Sequence, residues 1–302
     1  MNNIIMVAGA TGNLGGKIID ALLGKGAEIR AIVRAETPIE KIQALEQKGV
    51  KVFPINMRDK NAIAAACLGV TCVVSALAGL REVIVEAQKV LLEGAIQAKV
   101  PRFIPSDYST DFTNLTDGGN RNFDLRREFH THLKDAPIQA TSIFNGAFME
   151  LLTGNMPLIL YKQKKILYWG TPSVKMDFTT TYNIAAFTAQ VALDNNTPRY
   201  LRIAGDSLTA TEVKDMMTDI TNVKFGFLRP GGIGLINFFI KIGKFFGKNS
   251  PDLYPAWQGM QYMRDMMEGR AVLNSHDNDR YETVRWTTIK DFLIAEQVEK
   301  KL

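Results

Sequence analysis

The chain has 302 residues, 46% hydrophobic and 22% charged, which is the make-up of a globular chain long enough to bury a sizeable core. Its net charge of +5 comes from 36 basic and 31 acidic residues mixed along the sequence, with no basic arm and no recognition-helix motif, so nucleic acid is not an expected partner. Two cysteines without CxxC spacing and three histidines give no basis for a metal site, no run reaches membrane-spanning length, and no secretory leader precedes the first apolar run, so the cytoplasm is the expected location.

The spacing of apolar residues predicts strand 4–8, helix 16–23, strand 28–33, helix 39–48, strand 50–55 and helix 60–68. Strand 71–76, helix 83–98, strand 103–105, helix 126–134 and strand 139–144 follow. Such alternation implies a parallel sheet with right-handed crossovers. After Gly146 the rhythm breaks. Short strands at 165–169 and 175–178, a helix at 183–193, a strand at 200–204 and a helix at 209–220 are expected. Thr209-Ala210-Thr211-Glu212 fits a capping box at the start of that last helix. The expected class is α/β, a Rossmann-type doubly wound parallel sheet over residues 1–150. A smaller C-terminal α+β substrate domain covers 151–302, with some segments returning to the sheet.

Gly9, Gly12 and Gly15 form a glycine turn, Gly9-Ala10-Thr11-Gly12-Asn13-Leu14-Gly15, between the first strand and the first helix. Dinucleotide binding needs glycine there for a tight turn, close approach of backbone to pyrophosphate, and close packing of helix on strand. The helix N-terminus then offers N–H groups to the phosphates. NAD sites end the second strand with an acid that grips the ribose. Here that strand ends Ile32-Val33-Arg34, and Arg34 suits a 2′-phosphate, with Lys41 as a helper and Glu36 as the opposing observation. NADP(H) is therefore the expected cofactor. Met57, after the third strand where adenine would lie, and Ser75, at the end of the fourth, are further candidate cofactor-binding residues, while Asp59 reads as a helix cap.

The glycine turn with Val7 and Ala8, the Val33-Arg34 pair, and Arg102-Phe103-Ile104-Pro105-Ser106-Asp107-Tyr108 together resemble the NmrA-like, isoflavone-reductase-like branch of the atypical short-chain dehydrogenases. Ser142-Ile143-Phe144-Asn145-Gly146-Ala147-Phe148 and Lys175-Met176-Asp177-Phe178-Thr179-Thr180 are similar to later segments of that family, and the likeness covers roughly residues 1–220. It implies NADP(H) at the carboxyl ends of the strands, with Ser106 and Asn145 near the nicotinamide, and a C-terminal substrate domain. Some members of the family reduce small, often aromatic molecules. Others sense redox state and regulate a protein partner.

Reductases of the family carry a lysine in the helix after the fifth strand. The matching segment here, Asn122 to His130, holds Arg126 and Arg127 instead. Arginine stays protonated, so it suits an oxyanion or a phosphate better than proton transfer. Tyr108 is the candidate proton donor if an arginine lowers its phenol, against the plainer alternative of packing. His130 and His132 fall on different helix faces, in solvated or capping roles unless His130 faces the crevice as a general acid. Asp107 and Asp111 are candidates to hold an arginine.

The apolar run 233–246, flanked by Lys241, Lys244 and Lys248, reads as a membrane-surface helix, a lid over substrate or a dimer surface; its interruption by Gly243 favours lid or interface. The segment 254–263 is rich in aromatic residues and Met, and reads as core or as pocket wall. The leading expectation is an NADPH-dependent reductase of a small apolar carbonyl or enone-type substrate, with a homodimer as a further expectation. The alternative is an NADP(H)-binding redox sensor acting through a regulatory protein partner.

Overall fold

A computed structural model describes residues 3–154, 156–247 and 252–297. The first half is built as strand-helix repeats. These are β1 (Ile4–Ala8), α1 (Asn13–Leu23), β2 (Glu28–Val33), α2 (Ile39–Glu46), β3 (Lys51–Pro54), α3 (Lys60–Ala66) and β4 (Cys72–Ser75). A π-helical turn (Glu82–Ala87) leads into α4 (Gln88–Gln97), followed by β5 (Arg102–Ile104), α5 (Arg121–Leu133) and β6 (Gln139–Ala140). These six strands form one parallel sheet in the order β3-β2-β1-β4-β5-β6. The order reverses between β1 and β4, which opens a crevice at their carboxyl ends.

The sheet is buried on both faces, so its strands are nearly continuous apolar runs rather than alternating ones. Ile5, Val7, Ile29 and Val74 pack toward α1 and α6 (Thr181–Leu193), while Met6, Ala8, Ile32 and Val73 pack toward α3, α4 and α5. Thus α6, from beyond residue 150, lies beside α1 on the Rossmann sheet.

The strand expected over 139–144 is split. Thr141 N–H donates to the Phe103 carbonyl at 3.0 Å, and Ser142 N–H donates to the Arg199 carbonyl at 2.9 Å. At this point the chain passes from β5 to a new neighbour: β7 (Ser142–Phe144) pairs in parallel with β12 (Tyr200–Arg202).

Around a second hydrophobic cluster that runs from Met149 to Leu293 lie β8 (Ala147–Phe148), β9 (Ile159–Leu160), β10 (Lys165–Leu167), β11 (Lys175–Thr179) and β13 (Asp206–Thr209). With them are α7 (Ala210–Thr221), β14 (Gly226–Leu228), α8 (Ile233–Gly247), α9 (Ala256–Met267) and α10 (Ile289–Ala295). The short strands β8, β9, β13 and β14 carry too few residues to show a period in the sequence. The capping box holds: Glu212 N–H donates to Thr209 Oγ1 at 3.1 Å, and the Glu212 carboxylate accepts from Thr209 N–H at 2.7 Å. No helix among the described residues is long and apolar enough to cross a membrane.

Of the helices that differ from expectation, α9 and α10 included, two show a plain physical cause. The first, α5, starts at Arg121, because the Asn120 side chain accepts from Asn122 N–H at 3.2 Å and caps a polar first turn. The second, α8, runs unbroken through Gly243. That glycine is where Trp257 of α9 packs, and a Cβ there would lie 2.7 Å from the Trp257 Cβ, so it serves close helix approach and not a break.

Candidate functional site

The glycine turn closes by a hydrogen bond from Gly12 N–H to the Gly9 carbonyl at 3.0 Å. Gly9 has φ +83°, and a Cβ on it would lie 2.4 Å from the Ala76 carbonyl oxygen just after β4. On Gly15 a Cβ would lie 2.1 Å from the Gly9 carbonyl oxygen. Both positions are therefore closed to any side chain, which brings α1 tight against β1. Gly12 is the N-cap of α1 and gives no side-chain cap, and no acid lies in the first turn. Thr11, Gly12 and Asn13 are exposed, Leu14 is half-buried, and Lys17 donates to the Asn13 side chain. The N–H groups of this first turn thus face solvent with the positive end of the helix dipole behind them, a donor set suited to a pyrophosphate.

Arg34 leaves the end of β2 exposed, and no hydrogen bond or ion pair engages its guanidinium among the described residues. Met57 is half-buried at the edge of the core beneath α3. Asp59 caps that helix by accepting from Ala62 N–H at 3.0 Å, as its position suggested. Ser75 and Asn145 are fully enclosed; Ser75 Oγ and Asn145 Oδ1 find no partner among the described residues. Both residues remain candidates for the cofactor crevice, with their side chains enclosed in the protein. Next to Asn145, Gly146 (φ +65°) passes so close to β11 that a Cβ would lie 2.3 Å from the Asp177 carbonyl oxygen.

The loop after β5 is anchored from two sides. Ser106 N–H donates to Gln88 Oε1 at 2.9 Å, and Ser106 Oγ donates to the Leu77 carbonyl at 2.6 Å. Gln88, at the exit of the π-helical turn, also donates to the Ile84 carbonyl at 2.9 Å, so the wide turn and the β5 loop are tied through one buried amide. Arg126 reaches over from α5 and donates from Nε to the Ser106 carbonyl at 3.1 Å and from Nη1 to the Asn122 carbonyl at 3.0 Å. Ser106 and Arg126 are thus brought together, with Ser106 turned inward.

Asp107 is wholly buried. Its carboxylate lies 2.6 Å from His130 Nε2 and accepts from Ser142 Oγ at 2.5 Å, while Arg199 donates to Ser142 Oγ at 2.6 Å. Burial pushes the carboxyl up, but His130, the Ser142 hydroxyl and the Arg126 charge outweigh it and hold the group below the ordinary aspartate range. His130 is therefore neither solvated nor a cap. Its ring meets the edge of Phe112 at 5.1 Å and stacks on Tyr200 at 6.4 Å. Asp111 takes the arginine: its Oδ2 accepts from Arg202 Nε at 2.8 Å and from Nη2 at 2.5 Å. The sequence offered no signal for Gln88, Arg199 or Arg202, whose partners lie between 18 and 91 residues away, and none for the role of Ser142 beyond its place in a family-like segment.

Two catalytic expectations change. Tyr108 packs in the core with Cys72, Val74 and Phe187, beside Thr188 of α6. Burial raises its phenol strongly, whereas donation would need an arginine to lower it. Arg127 points at the 112–117 loop: Nε meets Asp117 at 2.7 Å, Nη1 donates to the Phe112 carbonyl at 2.7 Å, and Asp124 holds the other nitrogen. It fastens a loop and has no donor left for substrate. Cys67 and Cys72 are free and buried, their thiols pushed up to about 12 and about 11 by burial, as expected of apolar packing residues.

A cleft of about 250 Å³ opens between the loop before α5 and helices α8 and α9, lined by Asn120, Asn237, Arg264, Asp265 and Arg270. Asn120 Nδ2 donates to Asp265 at 2.9 Å, and Arg264 pairs with Asp265 at 2.6 Å, so the α5 cap and the cleft wall are one assembly. Burial raises the Asp265 carboxyl. In the aromatic segment 254–263, Trp257, Gln258, Gln261 and Met263 are buried and Tyr254 is exposed. Lys248 lies outside the described residues.

Known proteins resemble the chain along most of its length. Pinoresinol reductase 2 of Arabidopsis thaliana is 28% identical over 234 residues, 72% of this chain and 74% of that one. The solved structure of AtPrR2 with NADP+ and (+)-pinoresinol superposes with a TM-score of 0.83 at 22% identity, covering 97% of this chain and 98% of the other. The Escherichia coli NADPH-dependent quinone oxidoreductase QOR2 complexed with NADPH superposes with a TM-score of 0.74 at 21% identity, over 98% and 99% of the two chains. At these identities the superpositions establish a shared fold. The sequence model of the NmrA-like family matches residues 1–229, and the chain belongs to that family.

Proposed function

We propose that this protein binds NADP(H) in the crevice at the glycine turn and is an NADPH-dependent reductase of a small apolar carbonyl or enone-type compound. The observation that carries the reading is the uncapped N-terminus of α1, held against β1 and β4 by glycines whose Cβ positions are filled by backbone. In this reading the first-turn N–H groups of α1 hold the pyrophosphate and the unengaged Arg34 holds the 2′-phosphate. Met57 borders the adenine. Relatives named as reductases, and fold neighbours solved with NADP+ or NADPH, support the same choice.

A bound nicotinamide would supply hydride. The chain would supply orientation and charge: the loop fixed by Gln88 and Ser106 forms the wall, and Arg126 is the cation that steadies negative charge on a substrate oxygen. Water would bring the proton, since Tyr108 is sequestered. The cluster from Met149 to Leu293 would form the substrate domain, with the polar cleft at Asn120 and Asp265 at its edge.

One observation favours the sensor reading. The described α5 holds no lysine, and its three arginines, Arg121, Arg126 and Arg127, all donate to backbone carbonyls. Titration with NADPH, followed by NADPH oxidation assays over quinones, aldehydes and enones, separates the two. Tight binding with turnover of at least one class supports the reductase. Tight binding without turnover, joined to capture of a protein that differs between NADP+ and NADPH, supports the sensor.

A further inference from the structure

The outward face of α8 is lined by large apolar side chains. Ile236 and Ile240 point into the core, yet Leu235, Phe238, Phe239, Ile242, Phe245 and Phe246 are all exposed, the last two at 81% and 83%. Their spacing places them on one side of the helix. Asn237, on another side, lines the polar cleft, so the apolar stripe is separate from that cleft. Charge is one-sided as well. Between Asp219 and Asp252 the sequence has Lys224, Arg229, Lys241, Lys244 and Lys248 and no acid.

We infer that α8 docks the protein on an anionic lipid surface, its phenylalanines entering the headgroup–acyl boundary and Lys241 meeting lipid phosphates, while Lys244 stays half-buried over the Trp257 ring. A two-fold dimer through this face would set the same cationic, acid-free segment against itself, with no carboxylate of that segment to pair. An anionic bilayer complements both the apolar stripe and the charge. The exposed Lys241 stands at the flank of the stripe, where an interfacial helix carries its cations.

The test uses the full chain and sedimentation with two vesicle preparations, phosphatidylcholine alone and phosphatidylcholine mixed with phosphatidylglycerol. The expected result is binding to the mixed vesicles that weakens as salt rises. Phe245→Ser combined with Phe246→Ser should lower the partition coefficient more than about tenfold. Lys241→Glu should lower it by roughly tenfold, with an unchanged circular dichroism spectrum for both variants. The inference is overturned if the protein ignores the mixed vesicles or binds both preparations alike. It is overturned equally if the phenylalanine variant leaves vesicle binding intact, or turns a dimer that ignores vesicles into a monomer.

Discussion

His130 Nε2 on α5 stands 2.6 Å from a carboxylate oxygen of Asp107, which is fully enclosed between the β5 loop and β7. The pair joins three parts of the fold, because Ser142 of β7 donates to the same carboxylate and Arg199 leads on to β12. A buried charge of this kind is costly to leave without partners. Asp107→Asn should lower stability by about 3 kcal/mol in urea unfolding at neutral pH. The folded carboxyl lies below its unfolded value, so its contribution is complete above that value and is lost as pH falls through the folded one. Below about pH 4 the wild-type chain should therefore lose stability more steeply than Asp107→Asn. Parallel acid limbs for the two proteins would contradict this.

Gly15→Ala should be the most damaging single substitution at the turn. Its Cβ meets the Gly9 carbonyl oxygen at 2.1 Å, and neither backbone can give way without moving α1 from β1. Overpacking against backbone should cost about 2 kcal/mol or more and abolish cofactor binding. Gly26→Ala makes the control. That glycine, unlike Gly15, has positive φ, but nothing lies within 4 Å of its Cβ, so it should lose about 1 kcal/mol of stability and keep cofactor affinity. Thermal unfolding with and without NADPH reads both.

Arg34→Glu should weaken NADPH by roughly 100-fold and leave NADH within about threefold, because only NADPH carries the 2′-phosphate. Fluorescence titration of the two cofactors measures the ratio. A uniform loss for both would show that Arg34 touches some other part of the ligand.

Tyr108→Phe should keep kcat within about twofold and leave stability unchanged or slightly raised, since the buried hydroxyl finds no hydrogen-bond partner among the described residues. Arg126→Ala should lower kcat by about tenfold or more, with a smaller change in KM, as expected for charge held on a developing oxyanion. A large kcat loss in Tyr108→Phe would return the phenol to the chemistry.

The parts of this fold readable in the sequence are those set by local rules. The glycine turn, the Asp59 cap and the Thr209–Glu212 capping box each involve neighbours a few residues apart, and each forms. The start of α5 was hidden because Asn120 caps a first turn without apolar periodicity. Gly243 carried the right residue type but the wrong meaning, since helix approach and helix breaking both select glycine. The packing of Tyr108, the plainer of its two alternatives, and the pairing of His130 with Asp107 rest on something no local rule carries. Which way a side chain turns at a strand end depends on α6, β7 and β12, far off in the chain.

The central claim is that this chain moves hydride from NADPH. It is tested most directly by supplying NADPH deuterated at nicotinamide C4, in separate pro-R and pro-S forms, with a panel of quinones and enones, and finding the label by mass spectrometry. The account predicts NADPH oxidation at 340 nm with one substrate class at least, and deuterium in the reduced product from one of the two forms only. Tight NADPH binding with no oxidation and no label in any product would contradict it.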